Sequence, residues 1–242
     1  MEKNTLKEYY EKTSKRFWDP LEGLSARDSV IDPLLKDISG TIIEYGCGSG
    51  SLLINLAKEE RFSSVTGVDI SENLLDSVNK AWEKLDISKE KSIDLFLPTN
   101  DTLPYIKDNT FDVVICCATI EHVINPYTVL DELYRIAKPG ATLICSVPNY
   151  GYIKHSLRLL LGMQPRTGTD EPVEKWRECG WDGMHLHTFT KSSFEILLND
   201  CGWKVEKWTG WGYKGGKIGN FFRKKFPGKL SGEIITVCKK NN

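Results

Sequence analysis

The residues that could do chemistry sit in two groups. Glu44-Tyr45-Gly46-Cys47-Gly48-Ser49-Gly50 places three glycines at alternate positions, after the apolar run Thr41–Tyr45 and before a helical pattern at Leu52–Lys58. Glycines there let the backbone turn sharply and lie close against a ligand, and the helix that follows opens with unpaired N–H groups. Asp69 ends the next apolar run, nineteen residues after Gly50. A carboxylate in that position can accept hydrogen bonds from both hydroxyls of a ribose. The spacing disfavours a pyrophosphate ligand. A dinucleotide fingerprint would set its third small residue at position 51, which is Ser51, and no Gly-Lys-Ser/Thr of a phosphate loop is present. The second group is made of Glu121-His122 and His185-Leu186-His187. In an extended segment an alternating pair points both rings to one face, where they can bind an anion, move a proton or staple a loop.

These groups need a scaffold, and the pattern between them supplies one. Apolar runs at Thr41–Tyr45, Ser64–Val68, Ser92–Phe96, Asp112–Cys117 and Thr142–Val147 predict strands. Amphipathic segments at Leu52–Lys58, Glu72–Leu85 and Pro126–Ala137 predict helices between them. Asn125 can cap the last of these, with Pro126 at its first position and Pro139-Gly140 after it. Strands alternating with helices mean βαβ units and a parallel sheet. Helical stretches at 4–18 and 25–38 precede this unit. After Val147 the rhythm breaks: Pro148 to Thr188 forms a long connection with a short helix at Ile153–Leu161, the kind of segment that serves as a lid or binding loop. A helix at Lys191–Asp200, capped by Thr190, and strands at Lys204–Thr209 and Glu233–Lys239, joined by a Gly-rich basic loop, complete the chain. The expectation is one domain over 1–242, with N-terminal helices in 1–39, a core in 40–149, a lid in 150–190 and a C-terminal helix and strands in 191–242.

The glycine loop resembles the first motif of class I S-adenosylmethionine-dependent methyltransferases, an acidic residue followed by G-x-G-x-G. Glu44, Gly46, Gly48 and Gly50 match it. The likeness continues through Leu103-Pro104 and Phe111-Asp112-Val113-Val114, Glu121-His122-Val123, Lys138-Pro139-Gly140-Ala141, Ser146-Val147-Pro148-Asn149 and His185-Leu186-His187-Thr188-Phe189-Thr190. It implies an α/β three-layer sandwich around a seven-stranded, mostly parallel sheet, a Rossmann-like methyltransferase fold whose last strand is antiparallel. It also implies S-adenosyl-L-methionine as cofactor. Glu44, Gly46, Cys47, Gly48 and Gly50 would contact it, with Asp69 on the ribose, Ile70 on the adenine ring, Asn100 and Asp101 near the adenine amino group, and Cys117 near the methyl group.

Methyl transfer from a sulfonium is an in-line displacement on an activated electrophile, which leaves the protein to position the partners, exclude water and deprotonate the acceptor where needed. His122 is the candidate general base. Some relatives, ubiquinone-type O-methyltransferases among them, carry an extra Glu three residues before the Glu-His pair and bind a divalent metal. That position is Ala118 here, which argues against a metal unless ligands distant in the sequence complete the set. His185, His187, Trp181 and Arg158 are the candidate acceptor-binding residues of the lid, and Tyr9, Tyr10, Phe17 and Trp18 could close over the donor. The acceptor expected is a small molecule or a glycan or lipid precursor, with oxygen as the favoured atom. A non-catalytic S-adenosylmethionine-binding regulatory or scaffold subunit is the alternative.

Composition narrows the field further. Lys plus Arg number 32 against 33 Asp plus Glu, so no global field favours nucleic acid. Val147-Pro148-Asn149-Tyr150 does not supply the Asn/Asp-Pro-Pro-aromatic tetrapeptide of base-amino methylators. Seven cysteines without a C-x-x-C pair fit a reduced, cytoplasmic setting, and the charged N-terminus shows no secretory pattern. One local feature departs from this neutrality. Between Lys204 and Lys229 eight basic residues meet one acid, Glu206, and interleave with Trp208, Trp211, Tyr213, Phe221, Phe222 and Phe226. Such a stretch suits a peripheral contact with an anionic membrane surface or a partner.

Overall fold

Seven strands form one sheet in the order β3-β2-β1-β4-β5-β7-β6. The computed structural model describes residues 3–13, 18–85, 92–169, 171–212 and 216–241. The strands are β1 (Gly40–Tyr45), β2 (Phe62–Val68), β3 (Ile93–Phe96), β4 (Phe111–Cys117), β5 (Ala137–Pro148), β6 (Trp203–Trp211) and β7 (Glu233–Lys240). The pairs among β3, β2, β1, β4 and β5 are parallel, and β7 runs antiparallel between β5 and β6. This is the sheet the resemblance implied. Central strands read as continuous apolar runs because helices cover both faces.

The helices are α1 (Lys3–Thr13), α2 (Asp28–Ile31), α3 (Ser51–Ala57), α4 (Glu72–Lys84), α5 (Pro126–Ile136), α6 (Ile153–Leu160), α7 (Trp176–Cys179), α8 (Lys191–Asp200), α9 (Gly216–Lys225) and α10 (Pro227–Leu230). One face of the sheet is covered by a core that includes Val129, Leu133, Phe194 and Trp203. The other is covered by Ile31, Leu35, Leu52, Leu53, Leu56 and Val78. Caps fall where the residue types place them. The Ser71 hydroxyl accepts from Leu74 N, Asn125 from Tyr127 N with Pro126 next to it, and Thr190 from Ser193 N.

Two expectations change. The helix read over 25–38 is interrupted: α2 ends at Ile31 and a 3-10 turn takes Asp32–Leu35, because Pro33 has no N–H to continue the ladder. The basic stretch after β6, read as a Gly-rich loop, instead contains the helices α9 and α10. Part of the proposed N-terminal cover, Phe17, and Tyr213 of the basic stretch lie outside the described residues.

The strand order sets the position of the site. From β1 the chain moves outward through β2 and β3, then returns to the other side of β1 as β4. The carboxyl ends of β1 and β4 therefore diverge at a switch point, where open α/β sheets hold ligands.

Candidate functional site

The glycine loop leaves β1 with Gly46, Gly48 and Gly50 all in the left-handed region, at φ of 79°, 54° and 80°. A Cβ on Gly46 would strike the Thr119 side chain, and one on Gly50 would strike Val78. Asp69, just beyond β2, braces the loop. Its Oδ2 accepts from Gly48 N at 2.9 Å and its Oδ1 from Ser71 N at 2.9 Å. Burial raises the Asp69 pKa, and the backbone donors oppose that rise. Each oxygen keeps a second lone pair for a further donor.

Over this loop lies a cavity of about 490 Å³. On the β2–β3 side it is lined by Asp69, Ile70, Pro98 and Asp101, and beneath by Glu44, Gly46, Cys47 and Gly48. On the β4 side the lining is Cys117, Ala118, Thr119, His122 and His185, with Gly168 and Gly183 from the lid. Tyr9 and Tyr10 of α1 and the following Trp18 cover it. Helix α1 is held there by Lys7, which pairs with Glu72 at 2.6 Å, and by Glu11, which accepts from Glu72 N at 2.8 Å. Ser49 Oγ ties the cover down by donating to the Trp18 carbonyl at 2.6 Å.

Most of the residues expected to contact a donor therefore meet in one cavity. Gly50 does not line it and instead stands at the N-cap of α3. Asn100 and Asp101, both with positive φ, share a tight turn closed by Thr99 and Thr102, and only Asp101 reaches the lining.

The acceptor side needs correction. His187 does not share a face with His185; its Nε2 donates to the Val123 carbonyl at 2.9 Å and so pins the lid. Trp181 is 66% exposed and packs edge-on against Trp176. Arg158 donates through Nε to the Gln164 carbonyl at 2.9 Å. None of the three lines the cavity. Regular alternation fails because Asp182, Gly183 and Met184 have positive φ just before the pair, and Leu186 N and His187 N both donate to the Glu121 carbonyl.

His185 is turned inward to join His122 and Glu121. His122 Nδ1 lies 3.2 Å from the Met184 carbonyl and must donate to it. Thr167 Oγ1 gives its proton to Asp182 Oδ2 at 2.6 Å, so it accepts from His185 Nδ1 at 2.8 Å. Both rings are thereby set as Nδ1–H tautomers with Nε2 lone pairs free. Each Nε2 lies 3.9 Å from Glu121 Oε1. Glu121 is buried, and neither of its carboxylate oxygens has a hydrogen-bond partner. Ligand atoms of the three residues lie within 4.8 Å of one another. Ala118 removes one ligand of the pattern seen in the metal-binding relatives, and His185, distant in sequence, brings the group at this site to three.

Burial governs the charges here. It lowers His122 to about 3, helped by His185, and lowers His185 to about 4. It lifts the Glu121 carboxyl to about 8. A free imidazole of such low basicity is a poor match to neutral pH as a lone general base. The linkage has a definite sign. An unfolded chain protonates these histidines below about 6.5 while the native chain refuses the proton, so their stabilisation is lost on acidification from about 6.5 towards 4. Glu121 acts oppositely, with stabilisation present below the ordinary carboxylate value and lost as pH rises through about 8. In chelator, His185→Gln is expected to flatten the acid fall of the Tm, and Glu121→Gln the alkaline fall. Thermal denaturation between pH 4 and 9 measures both, and unchanged slopes would contradict the assignment.

Sequence reading missed a second buried charge group. Arg27, Asp28 and Glu44 line the cavity with Ser25 and Ser51, and Glu233 of β7 accepts from Ser146 Oγ beneath them. Burial works against the Arg27 charge, but Glu233 and Asp28 hold the guanidinium above its ordinary pKa. Arg27 Nε and Glu44 Oε2 have no hydrogen-bond partner. The only sequence signal was a pair of opposite charges inside a presumed helix.

Comparison with known proteins identifies the family and the fold. Residues 12–207 match a family described as Methyltransferase domain. An uncharacterised methyltransferase of Schizosaccharomyces pombe is 33% identical over 117 residues, 46% of this chain and 42% of that protein. A ubiquinone biosynthesis O-methyltransferase of Azoarcus sp. is 27% identical over 200 residues, 75% of this chain and 83% of its own length. Over three of the curated matches the chain spans 39% to 61% of the relative's length. The fold is that of an S-adenosylmethionine-dependent methyltransferase from Mesorhizobium loti, with a TM-score of 0.64, 15% identity and coverage of 89% of this chain and 98% of that one. With the family matched over most of its length, the chain belongs to the methyltransferase-domain family of the class I superfamily, whose cofactor is S-adenosyl-L-methionine.

Proposed function

We propose that this chain transfers the methyl group of S-adenosylmethionine to a hydroxyl oxygen of a small-molecule, glycan-precursor or lipid-precursor acceptor. One observation carries the reading: a single cavity runs from the glycine loop and Asp69 to His122 and His185, whose Nε2 atoms converge on the buried Glu121 carboxyl behind them. In this reading Asp69 accepts from the ribose hydroxyls, Ile70 and Pro98 flank the adenine, and Asp101 meets its amino group. Glu44 and the backbone of Gly46 and Gly48 face the methionine end, and Cys117 and Ala118 border the methyl group. Bound there, S-adenosylmethionine would supply an activated methyl carbon to an oxygen lone pair, with sulfur keeping the electron pair of the broken carbon–sulfur bond as S-adenosylhomocysteine. The acceptor's proton leaves towards the histidine–carboxylate group, which is shielded from water by the lid and α1. The printed names of the ubiquinone-type relatives, O-methyltransferases, support oxygen as the acceptor atom.

Two neutral imidazoles and a carboxylate also make a donor set for a divalent cation, with each ring's other N–H already fixed by a carbonyl or hydroxyl. The two orphaned oxygens of Glu121 fit that use. Bound there, a cation would lower the pKa of an acceptor hydroxyl.

The test is label transfer from methyl-labelled S-adenosylmethionine to a panel of phenols, sugar alcohols and lipid-linked hydroxyl compounds, with amines and thiols beside them. Label on at least one hydroxyl class is the expected result. Label on amines or thiols alone, or donor binding without transfer to any class, would overturn the reading.

A further inference from the structure

Helix α6 has an unusual property for a helix in a folded chain: none of its residues is buried. Yet it presents Ile153, Leu157 and Leu160, followed by Leu161, with Leu157 54%, Leu160 81% and Leu161 75% exposed. At 3.6 residues per turn these four share one face, and Lys154 and Arg158 flank it four residues apart. Helix α9 repeats the arrangement. Phe221 and Phe222 are exposed, packed edge to face at 5.6 Å, with Lys224 and Lys225 beside them and Phe226 exposed just after. Arg223 points inward and is bonded to Asn220.

The two helices leave the fold at one junction. The Asn149 side chain, four residues before α6, donates to the carbonyls of Pro227, Gly228 and Ser231 in and just after α10. Along the chain, the segments that carry the two helices have charge of one sign. No Asp or Glu occurs from residue 133 to 169, nor from 207 to 232, and the second stretch holds seven Lys and Arg.

We propose that α6 and α9 together dock the protein on an anionic lipid bilayer, with the Leu/Ile face of α6 and the phenylalanines of α9 entering the interface and the flanking Lys and Arg meeting the headgroups. Aliphatic and aromatic side chains rimmed by bases are what such interfacial helices carry. A second copy is a poor occupant, since pairing these helices with themselves would set Lys and Arg against Lys and Arg, and neither helix carries an acid. RNA would satisfy the bases but leave the α6 leucines in water. No described helix is long and apolar enough to cross a membrane, so the contact is peripheral. Since α6 opens the lid that carries Gly168, Gly183 and His185 into the cavity, docking would set the lid at the bilayer surface.

Co-sedimentation with phosphatidylglycerol–phosphatidylcholine vesicles and with pure phosphatidylcholine vesicles tests this on the full chain. The expected result is binding to the anionic vesicles, weakened by salt, and none to the neutral ones. The pairs Leu157→Glu/Leu160→Glu and Lys224→Glu/Lys225→Glu should each reduce partitioning by about tenfold or more. These positions are exposed and outside the cavity, so cofactor binding by calorimetry should be unchanged, which separates lost docking from lost folding. Absence of wild-type binding, or wild-type binding by both pairs, would overturn the proposal. So would a lipid-free dimer that the leucine pair dissociates, which would assign the face to a second copy.

Discussion

Asp69→Ala is expected to weaken S-adenosylmethionine binding by about 10- to 100-fold or more, the cost of losing hydrogen bonds to a charged acceptor. The proposed ribose contacts account for part of this. The remainder comes from the loop itself, because the same carboxylate accepts from Gly48 N and Ser71 N and so holds the glycine turn against the start of α4. Asp69→Asn separates the two effects. One amide oxygen can still accept a backbone N–H, but the second acceptor becomes a donor, so brace and ribose site cannot both be satisfied. Calorimetric titration of both variants with S-adenosylhomocysteine provides the measurement. Wild-type affinity in Asp69→Ala would remove Asp69 from the donor site.

The second large effect belongs to the acceptor side. Glu121→Gln should lower the rate of methyl transfer by about 100-fold or more, the scale of general acid–base contributions, while leaving donor affinity within a few-fold. His185→Ala should act in the same direction, since its Nε2 faces the same carboxylate as that of His122. His187→Ala, whose ring only pins the lid to Val123, should change rate much less than His185→Ala. Turnover on the acceptor class found by label transfer, with added magnesium or manganese and with chelator, gives all three comparisons. Suppose chelator and Glu121→Gln depress the wild-type rate alike and are not additive. The trio then works as a cation site. If chelator has no effect, the trio handles the proton unaided. Equal rates in Glu121→Gln and wild type would contradict a catalytic role for the trio altogether.

What the sequence showed well was local. The glycine loop, Asp69 and Ile70 lie within one βαβ unit, where spacing along the chain translates directly into position at the strand ends. The parallel sheet followed from the alternation of apolar runs and amphipathic segments. The acceptor side was less legible because it depends on long-range packing. His185 and His187 differ by two positions, and only the positive φ angles at Asp182, Gly183 and Met184 decide which ring enters the cavity. Arg27 was invisible for a similar reason: a buried guanidinium becomes sensible only when Asp28 and Glu233, over two hundred residues apart, converge on it. In α9 the glycines suggested a loop, and the helical spacing of its phenylalanines and lysines prevailed.

The central claim is that the cavity above the glycine loop is an S-adenosylmethionine site. It is tested most directly by calorimetric titration of the wild-type chain with S-adenosylmethionine and S-adenosylhomocysteine, with NADH as control. Binding of both sulfur ligands at about micromolar Kd, near −8 kcal/mol, with none for NADH, is the expected result. A folded chain that binds neither sulfur ligand, or that prefers NADH, would contradict it.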